Sequence, residues 1–400
     1  MTLPDVAVNE ENRWRLATPG SEGWPRSPRA GAPNKFFMLS SDTHAVEPMP
    51  LWAERIDPQY KHRLPRQEER DGKKWLIQEG AKPFPLTDTR LEGEDAYRQK
   101  PPVDLAQRLR DMEADGVDHE ILFPNRGSLM YATHDTGYAL AQMRVYNDWV
   151  WETYGARPER FTPVAVIFAA DIAAARTQIE QAAKTGFKAI NLPPKPVFGP
   201  HDRSHLNYNA PEYDALWALI EETDVAVTMH VGSGMDPRIA KGPGGAVVNY
   251  AVHALTPAAE PVANLCASGV LDRFPKLRIV TVESGVGWVP WFLHAMDEAY
   301  RKHHFWVTPK LKHGLPSDYY RAHFASTFAE DPIGLKSGRD IGLLGNFFWG
   351  TDYPHNEGSF PHSAEAIERQ MSDLSDGERA DLLGLNAARF FRVDVPARPA

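Results

Sequence analysis

The sequence has almost no cysteine. Cys266 is the only one among 400 residues, so no disulfide can form within the chain. Chains that lack disulfides are typical of reducing compartments, and we expect this protein in the cytoplasm. Cys266 lies in a helical run, 261–269, and we expect it to pack in the core rather than to act as a nucleophile.

Long apolar runs and clusters of positive charge are also absent. No stretch approaches the roughly 18 consecutive apolar residues of a membrane-spanning helix. The first residues show no basic segment followed by an apolar one, so we expect no secretory signal. The formal net charge is −9, and no basic stripe interrupts it. These absences argue against nucleic acid and membranes as partners.

What the sequence does contain is a regular alternation of strand-like and helix-like segments. Leu105, Leu109 and Met112 recur at helical spacing, and Ser375 and Glu378 form a capping box that opens a terminal helix. Eight runs have the character of strands: 36–42, 119–124, 162–168, 187–192, 225–230, 277–283, 322–328 and 346–351. This alternation predicts an α/β fold, a (β/α)8 TIM barrel. A doubly wound sheet is the competing fold.

The predicted barrel spans residues 36–392, with an N-terminal extension, 1–35, and a C-terminal tail, 393–400. The stretch of about 45–103, between the first two strands, is too long for a simple crossover. We interpret it as an insertion after strand 1 that covers part of the barrel mouth as a lid.

Candidate metal ligands recur at the ends of the predicted strands. Asp42 and His44 are two residues apart, and this spacing points both side chains to one face of a strand. His230 closes the fifth predicted strand, and Asp352 follows the eighth. Because the strand ends of a barrel open onto one face, these four groups predict a site for one divalent metal ion. Two histidines and two carboxylates suit Zn²⁺, with Fe²⁺ or Mn²⁺ as alternatives.

Each of these residues also has a structural interpretation. Asp42 is able to cap a turn, His230 is able to satisfy its polar atoms within a core, and Asp352, before Tyr-Pro, is able to initiate a turn. The four together favour the metal site. In that site, Asp352 would either hold the metal or accept a proton from water.

Several blocks of the chain resemble the amidohydrolase superfamily, within it the amidohydrolase-related group that contains aminocarboxymuconate-semialdehyde decarboxylase. The blocks are SSDTHAVEP (40–48), VTMHVGSG (227–234), GVLDRFPKLRIVTVESGVGWVPW (269–291) and GTDYPHNEG (350–358). The resemblance runs from about residue 36 to 392. It implies that Asp42, His44, His230 and Asp352 match the family's metal ligands.

The chain departs from the family pattern at the sixth strand. Many decarboxylases of the group carry a histidine there, whereas this chain has Glu283. We expect Glu283 to face the metal, as a further ligand or as an acid/base, unless it is merely a salt-bridged glutamate at a strand end. Binuclear members carry a modified lysine at the end of the fourth strand. Here Asn191 stands at that end and Lys188 lies earlier, so one metal ion is expected.

Three residues near the predicted mouth are further candidates. His355 follows Asp352 by three and is a candidate catalytic residue, although a loop histidine would look the same. Arg126, just after the second strand, would bind a substrate carboxylate, against the alternative of a surface arginine. Trp288 is a candidate substrate contact or a packing residue.

Two activities fit this pattern, and we expect a hydrolase first. A metal-activated water would attack a small organic acid derivative, at an amide, ester, thioester or C–C bond next to a carbonyl. The alternative is a non-oxidative decarboxylase of aromatic or enol acids, and a scaffold protein without activity is a third interpretation. In all cases, the predicted ligand is a small carboxylated or carbonyl compound.

Aromatic residues outside the strands (Trp52, Trp75, Phe305 and Trp306) predict a homodimer or higher homo-oligomer.

Overall fold

The computed structural model describes residues 36–80, 83–86, 104–126, 130–196, 206–234, 243–303, 305–306, 310–355 and 357–396. The predicted extension, 1–35, lies outside these residues, as do the last four residues of the predicted tail and residues 81–82 and 87–103 of the predicted lid.

Eight parallel strands form one sheet, in the order in which they occur along the chain. They are β1 (Leu39–Ala45), β5 (His119–Pro124), β6 (Phe161–Val166), β7 (Ala189–Asn191), β8 (Ala226–His230), β9 (Ile279–Val282), β10 (Phe324–Phe328) and β11 (Phe347–Trp349). The first and last strands approach each other, because Thr43 forms a parallel bridge to Tyr353 and the His44 N–H donates to the Tyr353 carbonyl at 2.7 Å. The predicted (β/α)8 barrel is confirmed, and each predicted strand run contains one of these strands or overlaps it.

Three short antiparallel strands lie between β1 and β5. They are β2 (Arg66–Arg70), β3 (Lys73–Ile77) and β4 (Phe84–Pro85), and they pair in that order. The helix α1 (Leu51–Arg55) and a 3₁₀ turn (Pro58–Arg63) precede them. The segment therefore has secondary structure of its own, and its function as a lid stays a prediction.

Helices surround the barrel, and their ends follow ordinary capping chemistry. Asp104 caps α2 and Asp171 caps α4. Each side chain accepts a hydrogen bond from the backbone N–H of the residue three positions later in the chain. The predicted capping box at Ser375 and Glu378 is present. The described helices are α2 (Leu105–Asp115), α3 (Thr136–Tyr154), α4 (Ile172–Thr185), α5 (Asp214–Thr223), α6 (Gly245–Val248), α7 (Leu255–Ala267), α8 (Val270–Arg273), α9 (Trp288–Lys302), α10 (Pro316–His323), α11 (Pro332–Asp340), α12 (Ser363–Met371), α13 (Asp376–Ala380) and α14 (Asn386–Phe391).

The barrel has two layers of apolar packing. Cys266 is fully buried among the side chains between strands and helices, as expected. A smaller cluster collects strand residues such as Ala189, Ala226 and Phe348, and α14 contributes Phe391 to it. In the part of the chain that the structure describes, no helix has the length and apolar character needed to span a bilayer.

Candidate metal centre

The strand β1 brings two side chains to the centre. It is buried along its whole length, and the Asp42 Oδ1 atom lies 3.7 Å from His44 Nε2. Arg108 of α2 donates to the His44 carbonyl at 2.7 Å and to the Glu120 carboxylate at 2.6 Å. This fully buried arginine therefore ties the end of β1 to β5 and to the surrounding helix.

Two imidazole rings turn the same nitrogen toward the centre. His44 Nδ1 lies 3.2 Å from the Pro124 carbonyl, and His230 Nδ1 lies 2.6 Å from the Val231 carbonyl. A carbonyl only accepts, so each Nδ1 carries a proton, and Nε2 is the nitrogen that each ring turns toward the carboxylates. The rings are 5.0 Å apart, edge to face. This is the arrangement by which backbone carbonyls orient histidines that bind metal.

Asp352 enters from the end of the last strand. Its Oδ1 atom lies 3.1 Å from His44 Nε2, and its backbone N–H donates to the Asp42 carbonyl at 2.9 Å. This close approach requires Gly350, because a Cβ atom there would stand 2.7 Å from the Asp42 Cβ. Asp352 itself has φ of 55°, in the left-handed region that residues other than glycine seldom adopt.

Glu283 completes the cluster in the same unusual conformation. The strand β9 ends at Val282, and Glu283 follows it with φ of 64°. Its Oε2 atom lies 3.4 Å from His230 Nε2 and 3.9 Å from His44 Nε2. Residues with such backbone strain collect at functional sites. Glu283 lies one residue beyond the strand, so strand alternation does not set the direction of its side chain.

The donor atoms converge as a metal ion requires. In each of two overlapping sets, the donor atoms lie within 4.8 Å of one another; the sets are Asp42, His44, His230 and Glu283, and His44, Glu283, Asp352 and His355. The buried Nε2 of His44 lies 3.1 Å from the Asp352 Oδ1 atom. A ring nitrogen and a carboxylate oxygen that face each other at this distance share either a proton or a metal ion. A metal-binding site of His, Asp and Glu side chains is therefore present; the role of each residue stays a prediction.

The electrostatics of the cluster lead to the same conclusion. Burial and the charge of Asp352 raise the pKa of Glu283 well above its ordinary value. Burial opposes charge on His230, but the neighbouring carboxylates raise its pKa to about 9. Burial would also raise the pKa of Asp352, but hydrogen bonds with His355 and His44 lower it to about 2. The crowded carboxylates thus favour the protonated forms of His230 and Glu283. A dication bound among them would supply the same positive charge.

His355 joins the cluster at Asp352 and also contacts Asn125, a residue that the sequence analysis missed. Its Nδ1 lies 2.9 Å from Asp352 Oδ1, and its Nε2 lies 3.1 Å from the Oδ1 atom of Asn125. The His355 and His44 rings are 4.0 Å apart. Asn125 directly follows β5, so its position at a strand end was the available signal, but asparagine is common in loops.

The other two candidates lie farther from the cluster. The guanidinium of Arg126 contacts the Met49 Sδ atom at 2.7 Å, and its side chain lines a cavity formed with the segment after β1. Trp288 begins α9, donates from Nε1 to the Gly285 carbonyl at 3.0 Å and packs against Phe292. No contact joins Arg126 or Trp288 to the metal cluster in the described part of the chain, so their roles in substrate binding stay predictions.

The fourth strand of the barrel ends in an amide side chain at the position where the resemblance would place a lysine in a binuclear site. The buried Asn191 bonds to Thr228 and Ser233, at 3.0 and 2.9 Å. The Lys188 ammonium instead donates to the Arg392 carbonyl. The expectation of a single metal ion stands on these contacts.

The (β/α)8 barrel carries a metal site of His, Asp and Glu side chains at its strand ends. This combination is typical of metal-dependent enzymes with a barrel fold. The sequence matches the amidohydrolase family over residues 41–393, and the chain belongs to that family. It is 26% identical to the gamma-resorcylate decarboxylase of Rhizobium sp. (strain MTP-10005) over 310 residues, which are 72% of this chain and 86% of that protein.

Two solved structures show the same fold. An amidohydrolase from Mycobacterium avium subsp. paratuberculosis K-10 superimposes with a TM-score of 0.72 at 19% identity, over 90% of this chain and 99% of the other. A dihydroxybenzoic acid decarboxylase from Polaromonas sp. JS666, with bound manganese and 2-nitroresorcinol, superimposes with a TM-score of 0.59 at 20% identity, over 89% and 96% of the two chains. The relatives that are named decarboxylases fit decarboxylation, the alternative activity of the sequence analysis, better than they fit hydrolysis.

Proposed function

We propose that this protein is a metal-dependent, non-oxidative decarboxylase of small aromatic acids. The observation that carries the proposal is the convergence of two oriented imidazoles and three carboxylates in two overlapping sets of donor atoms. The similarity to a gamma-resorcylate decarboxylase over most of the chain supports decarboxylation as the reaction. The reaction would convert an aromatic carboxylate and one proton into CO₂ and the arene.

In this proposal Asp42, His44, His230 and Asp352 hold one divalent ion. When bound, such an ion supplies positive charge that orients the substrate's oxygen atoms and stabilises negative charge on them. A donor set of two imidazoles and two carboxylates also admits Mn²⁺, and the Polaromonas decarboxylase carries manganese. We therefore propose Mn²⁺ in place of the Zn²⁺ expected from the sequence.

The chain also offers an acid for the ring carbon. When the bond between the ring and the carboxylate breaks, the electron pair stays on the ring carbon, which must then take up a proton. Glu283 is the group we assign to that role, because its pKa is raised by burial and by the Asp352 charge. His355 would hold Asp352 in place through the 2.9 Å contact with its carboxylate.

Hydrolysis remains the second candidate, and one observation favours it. Glu283 stands where many decarboxylases of the resembling group have histidine, and a carboxylate beside a metal site is suited to accept a proton from water. Its Oε2 atom lies 3.4 Å from His230 Nε2, within reach of a bound water.

One assay separates the two activities. The manganese-loaded protein is incubated with hydroxybenzoates and with their esters and amides in ¹⁸O-labelled water. Decarboxylation predicts CO₂ and an arene without solvent ¹⁸O. Hydrolysis predicts one ¹⁸O atom in the released acid and no CO₂.

Assembly into a homodimer or higher oligomer stays a proposal. Phe305 and Trp306 expose 63% and 75% of their surface, and Trp291 exposes 67%, while Trp52 and Trp75 are half-buried. Exposed aromatic side chains of this kind are enriched in subunit interfaces. Sedimentation at micromolar concentration tests the prediction, and a mass near 44.8 kDa would contradict it.

A further inference from the structure

Glu283 reaches the metal cluster only because its backbone turns sharply after β9. Val282, the last residue of that strand, packs in the same apolar cluster as Ala226 of β8. Ala226 lies four residues before His230, so Val282 faces the side of the sheet on which the metal cluster stands. An extended backbone at Glu283 would therefore point its carboxylate to the opposite side. The φ of 64° instead brings the Oε2 atom to 3.4 Å from His230 Nε2.

A buried hydroxyl group holds the Glu283 backbone in this conformation. The Glu283 N–H donates to Thr327 Oγ1 at 2.9 Å, and Thr327 is almost fully buried on β10. Residues other than glycine seldom adopt a positive φ, and they keep it where the surrounding structure fixes it. The hydrogen bond to Thr327 is a contact of this kind, since it joins the turned residue to the neighbouring strand.

The register of the strands places Thr327 at this point. Ser326 pairs with Thr281 of β9, and its hydroxyl contacts Thr281 Oγ1 at 2.7 Å and the Tyr320 hydroxyl of α10 at 2.9 Å. Ser326 thus faces the surrounding helices. Because adjacent residues of a strand point to opposite sides, Thr327 faces the barrel interior. Its hydroxyl lies beside the place where Glu283 leaves β9.

We propose that Thr327 is a positioning residue, whose hydroxyl sets the conformation from which Glu283 delivers a proton to the ring carbon. The inference rests on the proposed function in taking Glu283 as the acid. With valine at position 327, the Glu283 N–H would lose its acceptor, and the positive φ would lose the bond that stabilises it. The carboxylate would then turn away from the cluster, while His44 and His230 keep their own backbone contacts.

The test compares three single variants of the manganese-loaded protein. Thr327→Val removes the hydroxyl at nearly constant volume, and Thr327→Ser restores it. Thr281→Val is the matched control, because Thr281 is also buried but its hydroxyl bonds to Ser326, away from the cluster. Crystal structures report the φ of Glu283, and urea denaturation reports folding. Steady-state kinetics with the hydroxybenzoate that the wild type decarboxylates fastest separate kcat from KM.

We expect Glu283 to leave the left-handed region in Thr327→Val and kcat to fall by about 10–100-fold, with KM nearly unchanged. Thr327→Ser and Thr281→Val should keep the conformation and the turnover of the wild type. In a Glu283→Gln background, Thr327→Val should lower kcat no further, because the acid that it positions is already absent. An unchanged φ in Thr327→Val, or an equal further loss of kcat in the Glu283→Gln background, would overturn the inference.

The crystal structures require no substrate, so they separate this inference from the decarboxylase proposal. If Glu283 changes conformation in Thr327→Val alone, but no hydroxybenzoate releases CO₂ from the wild type, the positioning by Thr327 holds and the decarboxylase proposal fails. If the wild type releases CO₂ and Glu283 keeps its conformation in Thr327→Val, the decarboxylase proposal holds and the positioning by Thr327 fails.

Discussion

His44 and Asp352 meet across the seam that closes the barrel. The Nε2 atom of His44 lies 3.1 Å from Asp352 Oδ1, and the His44 N–H bonds to the carbonyl of Tyr353, the residue after Asp352. The first and last strands are therefore joined at the point where two candidate ligands stand. Closure of the barrel and assembly of the metal centre depend on the same backbone contacts.

The glycine at this seam is open to a direct test. In Gly350→Ala, the new Cβ would stand 2.7 Å from the Asp42 Cβ, and strand β1 or Asp42 must move. We expect a loss of about 1–3 kcal/mol in the free energy of unfolding and weaker metal binding. Gly345→Ala is the control, since nothing lies within 4 Å of its Cβ and its φ is not positive. Urea denaturation and metal titration check both variants, and equal behaviour of the two would refute the packing argument.

Glu283 is the proposed acid, and its removal should affect chemistry more than folding. Glu283→Gln keeps the side-chain volume but offers no exchangeable acid. We expect turnover to fall by about 10²–10⁴-fold, with metal content and unfolding free energy close to those of the wild type. Single-turnover kinetics and metal analysis measure the two effects separately. Full turnover in this variant would assign the proton transfer to another group, and loss of metal would make Glu283 a ligand.

The buried pair of Arg108 and Glu120 supports the end of β1. Both side chains are almost fully buried, 2.6 Å apart. Arg108→Ala leaves the Glu120 carboxylate without its partner, so we expect a loss of about 3–5 kcal/mol in unfolding free energy. The double variant Arg108→Leu/Glu120→Leu should lose much less. A double variant as unstable as the single one would show that the pair acts through packing alone.

His119 makes stability depend on pH in a defined direction. Burial lowers its pKa from 6.5 to about 3, and its ring bonds to Thr162 at 2.9 Å. As pH falls through 6.5, the unfolded chain takes up a proton that the folded chain refuses, so folded stability is lost toward acid. We expect this loss to be about 2 kcal/mol between pH 8 and pH 5. His119→Gln should lack it in urea denaturation at the two pH values; parallel pH profiles for the two proteins would contradict the assignment.

The sequence predicted the strands and the main cluster because their patterns are local. Asp42 and His44 share a strand face, and His230 ends an apolar run. The two-residue period of a strand and the position at a strand end were therefore enough to select these residues. Arg108 was missed although it lies on the same helical face as Leu105 and Met112, because a charged residue within an apolar stripe is ordinarily assigned to the surface. Its partner lies on β5, and only the fold brings the two together.

The contributions of loop residues to the site could not be predicted from the sequence, for a different reason. Asn125 and the left-handed backbone of Glu283 and Asp352 depend on tertiary contacts that no local pattern encodes. The cavity that Arg126 lines likewise combines residues from α1, a 3₁₀ turn, β2, α3 and the loop after β5. Sequence reasoning proposed Arg126 as a substrate residue but gave no means of grouping it with Lys61 and Arg66.

The metal content of the purified protein tests the central claim most directly. The wild type should contain about one equivalent of a divalent ion per chain, and His230→Ala should lose most of it together with activity, because His230 Nε2 lies within 3.4 Å of both the Asp42 and Glu283 carboxylates. His134→Ala, at an exposed histidine outside the cluster, should keep both. Full metal content and full turnover in His230→Ala would contradict the metal centre described here.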